Sequence, residues 1–320
     1  MFNILAFGEI LIRIPIDLEG FERKKAIYWG GAEANVLCAL SRLNNNTRLI
    51  SKVPDNKMGN LAIENLNKYK VDTLHIAKGG DRIGLYYYSA PQNYIQGEVV
   101  YDRKHSSIHT LTTTEINKEK LFSGVEVFYV SGISLALVGC REVVEDLWNY
   151  AKSHNIKLVF DVNYRSRLWS IEEAKPFLAK YMAESDILFA NDFDCKNFLG
   201  MSGEKTEDLY KAVLSKYNIS HMATLHRRRI SYNEYEVSGI LCSAQNFSMT
   251  PIYKTTILER IGGGDCFVAG ILNGIFNAEQ NIADNAIKLV LMKYSMSGDV
   301  FAGFLEDYKA ALSATSDVRR

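Results

Sequence analysis

The sequence predicts an α/β fold: a mostly parallel sheet flanked by helices on both faces, with a small β insertion. Three observations predict it. Short apolar runs of strand length alternate with longer stretches of helical period along most of the chain. One stretch, residues 84–103, breaks that rhythm with aromatic and β-branched residues around a turn-rich connection. The chain has 320 residues, 47% hydrophobic and 23% charged, a globular composition with enough sequence to bury a large core. Alternating strands and helices favour parallel pairing, because each crossover helix returns the chain across a sheet face.

Residues 2–7 are a short apolar run ending at Gly8, the pattern of a buried first strand. Residues 10–16 are expected to add a strand of the hairpin kind. Val36, Ala39, Leu40 and Leu43 recur at i, i+3, i+4 and i+7, so they line one face of a helix. Asn44-Asn45-Asn46 ends it, since asparagine tolerates the left-handed conformation. Residues 49–53 read as a strand and 61–69 as a helix. Leu85-Tyr86-Tyr87-Tyr88 and Glu98-Val99-Val100-Tyr101 read as a hairpin whose connection holds Pro91 and Gly97. The rhythm resumes with strands at 125–130, 157–160 and 187–190, separated by helices at 143–152, 171–182 and 206–217. Two late helices are expected over 265–276 and 282–294. No internal repeat, low-complexity tract or linker divides the chain, so residues 1–320 are expected to form a single α/β unit.

Lysine and arginine total 37, as do aspartate and glutamate, so the net charge is zero. That argues against the strongly basic footprint of a nucleic-acid-binding domain. No apolar run reaches the roughly 18 residues of a membrane span. The first seven residues carry no basic segment and read as a strand, not a signal peptide. The five cysteines, Cys38, Cys140, Cys195, Cys242 and Cys266, are scattered and form no C-x-x-C pair. This argues against a disulfide framework or zinc site and for a reducing, cytoplasmic compartment.

Gly262-Gly263-Gly264-Asp265 precedes the apolar run Phe267, Val268, Ile271, Leu272, Ile275 and Phe276. Adjacent glycines let the backbone turn tightly and approach a ligand. A helix starting there aims free N–H groups and its positive dipole end forward, which suits a phosphate. An aspartate at that point can take a proton from an attacking hydroxyl. Taken alone, the segment is equally a glycine-rich loop before a helix capped by Asp265. The P-loop pattern G-x-x-x-x-G-K-[ST] is absent, so a kinase here is not of the Walker type.

The segment Gly262-Gly263-Gly264-Asp265-Cys266-Phe267-Val268-Ala269-Gly270 resembles the C-terminal signature of the ribokinase-like (PfkB) carbohydrate kinases. Gly30-Gly31-Ala32-Glu33-Ala34-Asn35-Val36 resembles their N-terminal sugar-binding glycine pair. Tyr101-Asp102-Arg103-Lys104-His105-Ser106-Ser107, Ser131-Gly132-Ile133 and Asp161-Val162-Asn163-Tyr164-Arg165-Ser166-Arg167-Leu168-Trp169-Ser170 resemble the 2-keto-3-deoxygluconate kinase branch. These matches keep family order and span residues 8–299. The resemblance implies a Rossmann-like, ribokinase-like fold with a small β-sheet lid, formed here by about residues 10–28 and 84–104. Such a lid often serves as a homo-oligomer interface.

The resemblance also implies roles. Asp265 matches the catalytic base, and Gly262, Gly263 and Gly264 match the anion hole. Gly31 and Asn35 match positions that hold sugar hydroxyls; as bare residues they are a helix start that needs glycine for packing. Tyr86 and Arg103 match lid contacts to the sugar. Arg165 matches a residue near the substrate and follows a strand's carboxyl end, where α/β folds place their sites. Asn191 and Asp194 resemble the family's Asn-x-x-Glu motif, which organises magnesium and phosphate through water; they equally suit a capped helix start. Thr224 lies in the implied nucleotide region, residues 223–229, which lacks the glycines common among relatives. Its three consecutive arginines read as phosphate contacts or, for at least two, as a solvated basic loop. Asp299 matches a late position that closes over sugar and nucleotide, or is a turn residue.

Gly263 replaces the alanine of the family's Gly-Ala-Gly-Asp motif, as occurs in this branch. Asp194 replaces the usual glutamate and is one methylene shorter. Glu259 stands where many relatives carry an aspartate that shapes a monovalent-cation loop, which leaves potassium activation open. The implied activity is transfer of the ATP γ-phosphoryl group, with Mg²⁺, to a small sugar or sugar acid. The favoured substrate is 2-keto-3-deoxygluconate, giving the 6-phosphate. A fructokinase-like ketose kinase is the alternative, and a non-catalytic sugar-binding protein on the same fold is another. No direct protein ligand to a metal is expected.

Overall fold

The structure, a computed structural model, describes residues 1–16, 26–91 and 96–313. Its large sheet is built from β1 (Asn3–Phe7), β4 (Asn46–Val53), β5 (Ile76–Lys78), β8 (Val127–Ser131), β9 (Lys157–Asp161), β10 (Ile187–Phe189), β11 (His221–Arg229), β12 (Glu234–Ser243), β13 (Phe247–Met249) and β14 (Tyr253–Thr256). The order is β13-β12-β11-β10-β9-β8-β1-β4-β5, with β14 also paired to β12. From β5 to β11 every pairing is parallel; β12 joins antiparallel to β11, β13 and β14.

Strand alternation divides the core between two faces. Ile4 and Ala6 of β1 join the cluster under helices Ala32–Arg42, Gly263–Phe276 and Ile282–Tyr294. Leu5 and Phe7 join the opposite cluster under Arg141–Ser153, Ile171–Glu184 and Thr206–Tyr217. Successive strand residues point to opposite faces, so a central strand covered on both sides is apolar throughout. Helix Ala32–Arg42 ends as expected at the asparagines: Asn44 has φ of 69° and Asn45 Nδ2 donates back to the Leu40 carbonyl at 3.2 Å.

A second sheet stands apart, in the order β3 (Tyr28–Gly30), β2 (Leu11–Ile16), β6 (Gly84–Ser89) and β7 (Glu98–Asp102). The expected hairpin is β6 with β7, antiparallel from Leu85 opposite Asp102 to Ser89 opposite Glu98. Within the segments expected to form the lid, residues 17–25 and the hairpin connection at 92–95 lie outside the described residues.

Two expectations need correction. The segment holding Arg227, Arg228 and Arg229 is not a basic loop but the outer half of β11. Arg228 pairs with Glu236 on the neighbouring strand at 2.5 Å, and Arg227 Nη1 donates to the Tyr294 hydroxyl at 3.1 Å. Asp265 does not cap its helix. Gly262, with φ of 83°, is the N-cap, and Asp265 sits in the first turn.

Candidate active site

A cavity of about 640 Å³ opens beyond the carboxyl ends of the parallel strands, beneath the small sheet. Parallel strands leave their loops and the following helix N-termini at that edge, so polar groups from distant segments converge there. Of the residues singled out in the sequence, Gly31, Asn35, Tyr86, Arg103, Arg165, Asn191, Asp194, Thr224, Gly262, Gly264, Asp265 and Asp299 all line it. Gly263 does not. It is buried, and a Cβ there would run into the Tyr294 ring.

The glycine turn delivers Asp265 to the cavity. A Cβ on Gly262 would meet the Asp299 carbonyl, and its positive φ is one that only glycine adopts without strain. The first helical bond runs from the Cys266 N–H to the Gly262 carbonyl at 2.9 Å, while the Gly263 N–H reaches the Arg260 carbonyl at 3.4 Å. The N–H groups between them belong to the helix end, where intrahelical acceptors run out. Gly264 is open: a Cβ there would meet no atom of the described residues within 4 Å.

Asn35 Nδ2 donates to Asp265 Oδ2 at 2.6 Å, bridging two helix starts from opposite ends of the chain. Burial pushes the Asp265 carboxyl up to about 7, although the Asn35 bond and the charge of Arg165 favour its ionised form. Asp161, at the end of β9, is pushed up to about 8 by burial and then by the negative charge of Asp265. Asn35 Oδ1 is buried with no hydrogen-bond partner among the described residues.

Two buried ion pairs join the small sheet to the large one, and neither was read from the sequence. Glu9, just beyond β1, takes Arg103 Nε at 2.8 Å and Nη2 at 2.5 Å, and also accepts from the Ser106 hydroxyl. Arg13, on β2, is fully buried; its Nε lies 2.9 Å from Asp299 Oδ1 and its Nη1 2.8 Å from Glu259 Oε2. The Tyr86 hydroxyl donates to Asp299 Oδ2. Burial pushes Asp299 up to about 6, with Arg13 and the Tyr86 bond opposing. Glu33, behind the site, accepts from the Ser131 N–H at 3.1 Å, Ser131 Oγ at 2.6 Å and Ser134 Oγ at 2.8 Å. One signal pointed to Glu9: a charged residue directly after an apolar strand and a glycine.

Asn191 and Asp194 close a reciprocal cap. Asp194 Oδ2 accepts from the Asn191 N–H at 2.9 Å, and Asn191 Oδ1 accepts from the Asp194 N–H at 3.1 Å. Burial holds Asp194 up, at about 6. Arg165 lies after β9 at the cavity wall, exposed, and its guanidinium forms no ion pair among the described residues. Among the described residues no cluster of three or more His, Cys, Asp or Glu is arranged to hold a metal ion. None of their helices is long and apolar enough to cross a membrane.

A family profile described as pfkB family carbohydrate kinase matches residues 1–288. The crystal structure of a PfkB family carbohydrate kinase from Listeria grayi has a TM-score of 0.91 at 32% identity, covering 97% of this chain and 100% of that one. That of 2-dehydro-3-deoxygluconokinase from Thermotoga maritima has a TM-score of 0.89 at 29% identity, covering 98% and 100%. The 2-dehydro-3-deoxygalactonokinase of Haloferax volcanii is 26% identical over 281 residues, 87% of this chain and 85% of that protein. A profile match over most of the length and a ribokinase-like fold shared end to end establish that the chain belongs to the pfkB family of carbohydrate kinases.

Proposed function

We propose that this kinase phosphorylates a sugar acid, 2-keto-3-deoxygluconate, at its 6-hydroxyl, with Asp265 as the base. The observation that carries the reading is the setting of Asp265: a carboxyl held near 7 at the mouth of a helix N-terminus, hydrogen-bonded to Asn35. A carboxyl raised that far titrates close to neutral pH, which matches a general base to its working pH. In this reading Asp265 takes the proton of the 6-hydroxyl as that oxygen attacks the γ-phosphorus of ATP and ADP departs. The glycine-turn N–H groups stabilise the charge on the transferring phosphoryl group. The unpartnered Asn35 Oδ1 suits a donated sugar hydroxyl.

The Asn191–Asp194 cap, in which Asp194 is buried, and Thr224 fit the polyphosphate side of the cavity, where a hydrated Mg²⁺ takes few protein ligands. When bound there, Mg²⁺ would neutralise phosphate charge. The small sheet is the lid; its contacts through Glu9–Arg103 and Tyr86–Asp299 are the ones that exclude water from the transfer.

The choice of a sugar acid rests on the two arginines. Arg103 is neutralised by Glu9, whereas Arg165 lines the cavity with no ion pair among the described residues. A carboxylate forms a bidentate ion pair with such a guanidinium; a neutral ketose offers it only hydroxyl and carbonyl acceptors. The relatives named as kinases of deoxy keto-acid sugars support the same class. The test compares kcat/KM for 2-keto-3-deoxygluconate and fructose in the parent and in Arg165→Ala. The parent should prefer the acid, and the variant should lose about 2 kcal/mol, roughly thirtyfold, more on the acid than on fructose. A fructose preference in the parent, or equal losses on both sugars, would contradict the proposal.

A further inference from the structure

Lys293 is the one lysine on the described sequence with no solvent exposure, and the phosphoryl-transfer reading leaves it without a task. It is the penultimate residue of helix Ile282–Tyr294. Its ammonium has three donors, yet among the described residues it makes a single hydrogen bond, to the Met296 carbonyl at 3.2 Å. The two nearby carboxylates, Glu259 and Asp299, are already engaged by Arg13 at 2.8 and 2.9 Å. A buried cation so thinly satisfied is costly to keep.

Its position suggests what it does. Lys293 Cε lies 3.1 Å from where a Cβ on Gly262 would stand, so the side chain runs directly beneath the turn that caps the Asp265 helix. The same turn is pinned on either side. The Leu258 N–H donates to the Tyr294 carbonyl at 2.8 Å, and the Asp299 carbonyl lies against Gly262. Burial, joined by the charge of Arg13, pulls the ammonium below the ordinary lysine range, while Cys266, Glu259 and Asp299 act to keep it charged.

We propose that Lys293 is a built-in cation behind the phosphoryl site, adding fixed positive charge through the Gly262 turn to the helix N-terminus that faces the transferring group. It is a positioning residue, and the inference rests on the reading of Gly262 to Asp265 as the site of transfer. Charge fixed in a dry environment stabilises a developing anion more than water does and needs no reorganisation during the step.

A packing role and a charge role separate experimentally. Methionine fills the lysine's space without its charge, and replacing a buried charge by an apolar side chain is often neutral or stabilising. In the full chain, Lys293→Met should therefore keep or raise the melting temperature. Its kcat for ADP release should fall about tenfold or more while the sugar KM moves less than about threefold. Lys293→Ala should recover turnover as ammonium chloride is added, saturably, and not with sodium chloride at equal ionic strength. Lys293→Met with kcat within about threefold of the parent overturns the proposal. So does a joint loss of folding and activity in both variants with no recovery by ammonium. A parent that releases no ADP with any sugar would instead sink the transfer reading, and this inference with it.

Discussion

Burial drives Asp265 towards its neutral form, and the Asn35 amide at 2.6 Å pulls it back towards the carboxylate. The balance near 7 fixes a pH dependence. As the proposed base, Asp265 works only when ionised, so kcat/KM should rise with pH through about 7 and fall away on the acid side. Asn35→Leu removes a hydrogen bond that favours the charged form, which raises the carboxyl further. A pH–rate profile should show the acid limb of that variant moved to higher pH; an unmoved or acid-shifted limb would refute the coupling. Asn35 and Asp265 were each singled out in the sequence through their motifs, and the fold brings both to the cavity. Their bond was not legible there, because it joins positions 230 residues apart and no local pattern encodes it. Arg13 was missed for the same reason: within its strand it is one polar residue among Leu11, Ile12, Ile14 and Ile16, and only the fold brings Glu259 and Asp299 to it.

The glycine turn is a single element whose three glycines serve different ends. Gly262 needs its positive φ and its space against the Asp299 carbonyl; Gly263 needs its space against Tyr294; Gly264 meets nothing among the described residues. Alanine should therefore destabilise at Gly262 and Gly263, by at least about 1 kcal/mol for the backbone strain at the first. At Gly264 alanine is the better helix former, by about 1 kcal/mol, so the melting temperature should hold or rise. Its methyl would project into the cavity and lower turnover, by roughly tenfold if the phosphoryl group is displaced. Thermal melts run beside ADP-release assays on the three variants check this. Parental turnover in Gly264→Ala, or parental melting in Gly262→Ala, would contradict the assignment. Strands β1, β8, β9 and β10 were legible because a strand buried on both faces is a plain apolar run. Strand β11, which ends the parallel run, and the antiparallel strands β12 to β14 were not. The outer half of β11 is His226 to Arg229, polar and exposed, and β14 is Tyr-Lys-Thr-Thr with alternate residues exposed.

Across the whole molecule, the α/β layering was legible from periodicity and the small sheet from its aromatic, β-branched hairpin. What the sequence left unread is how the two sheets meet. That junction is made of buried charge: Glu9 with Arg103, and Arg13 with Glu259 and Asp299. Breaking one partner of such a pair strands the other, so the junction fixes the geometry of the cavity it covers. In the proposed reaction the small sheet and the glycine turn together bring a hydroxyl to Asp265. The most direct measurement is therefore ADP release by Asp265→Asn with saturating Mg·ATP and 2-keto-3-deoxygluconate, alongside a thermal melt. The account predicts kcat lower by about 10²–10⁴ with the fold retained; a folded variant that turns over near the parental rate would contradict it.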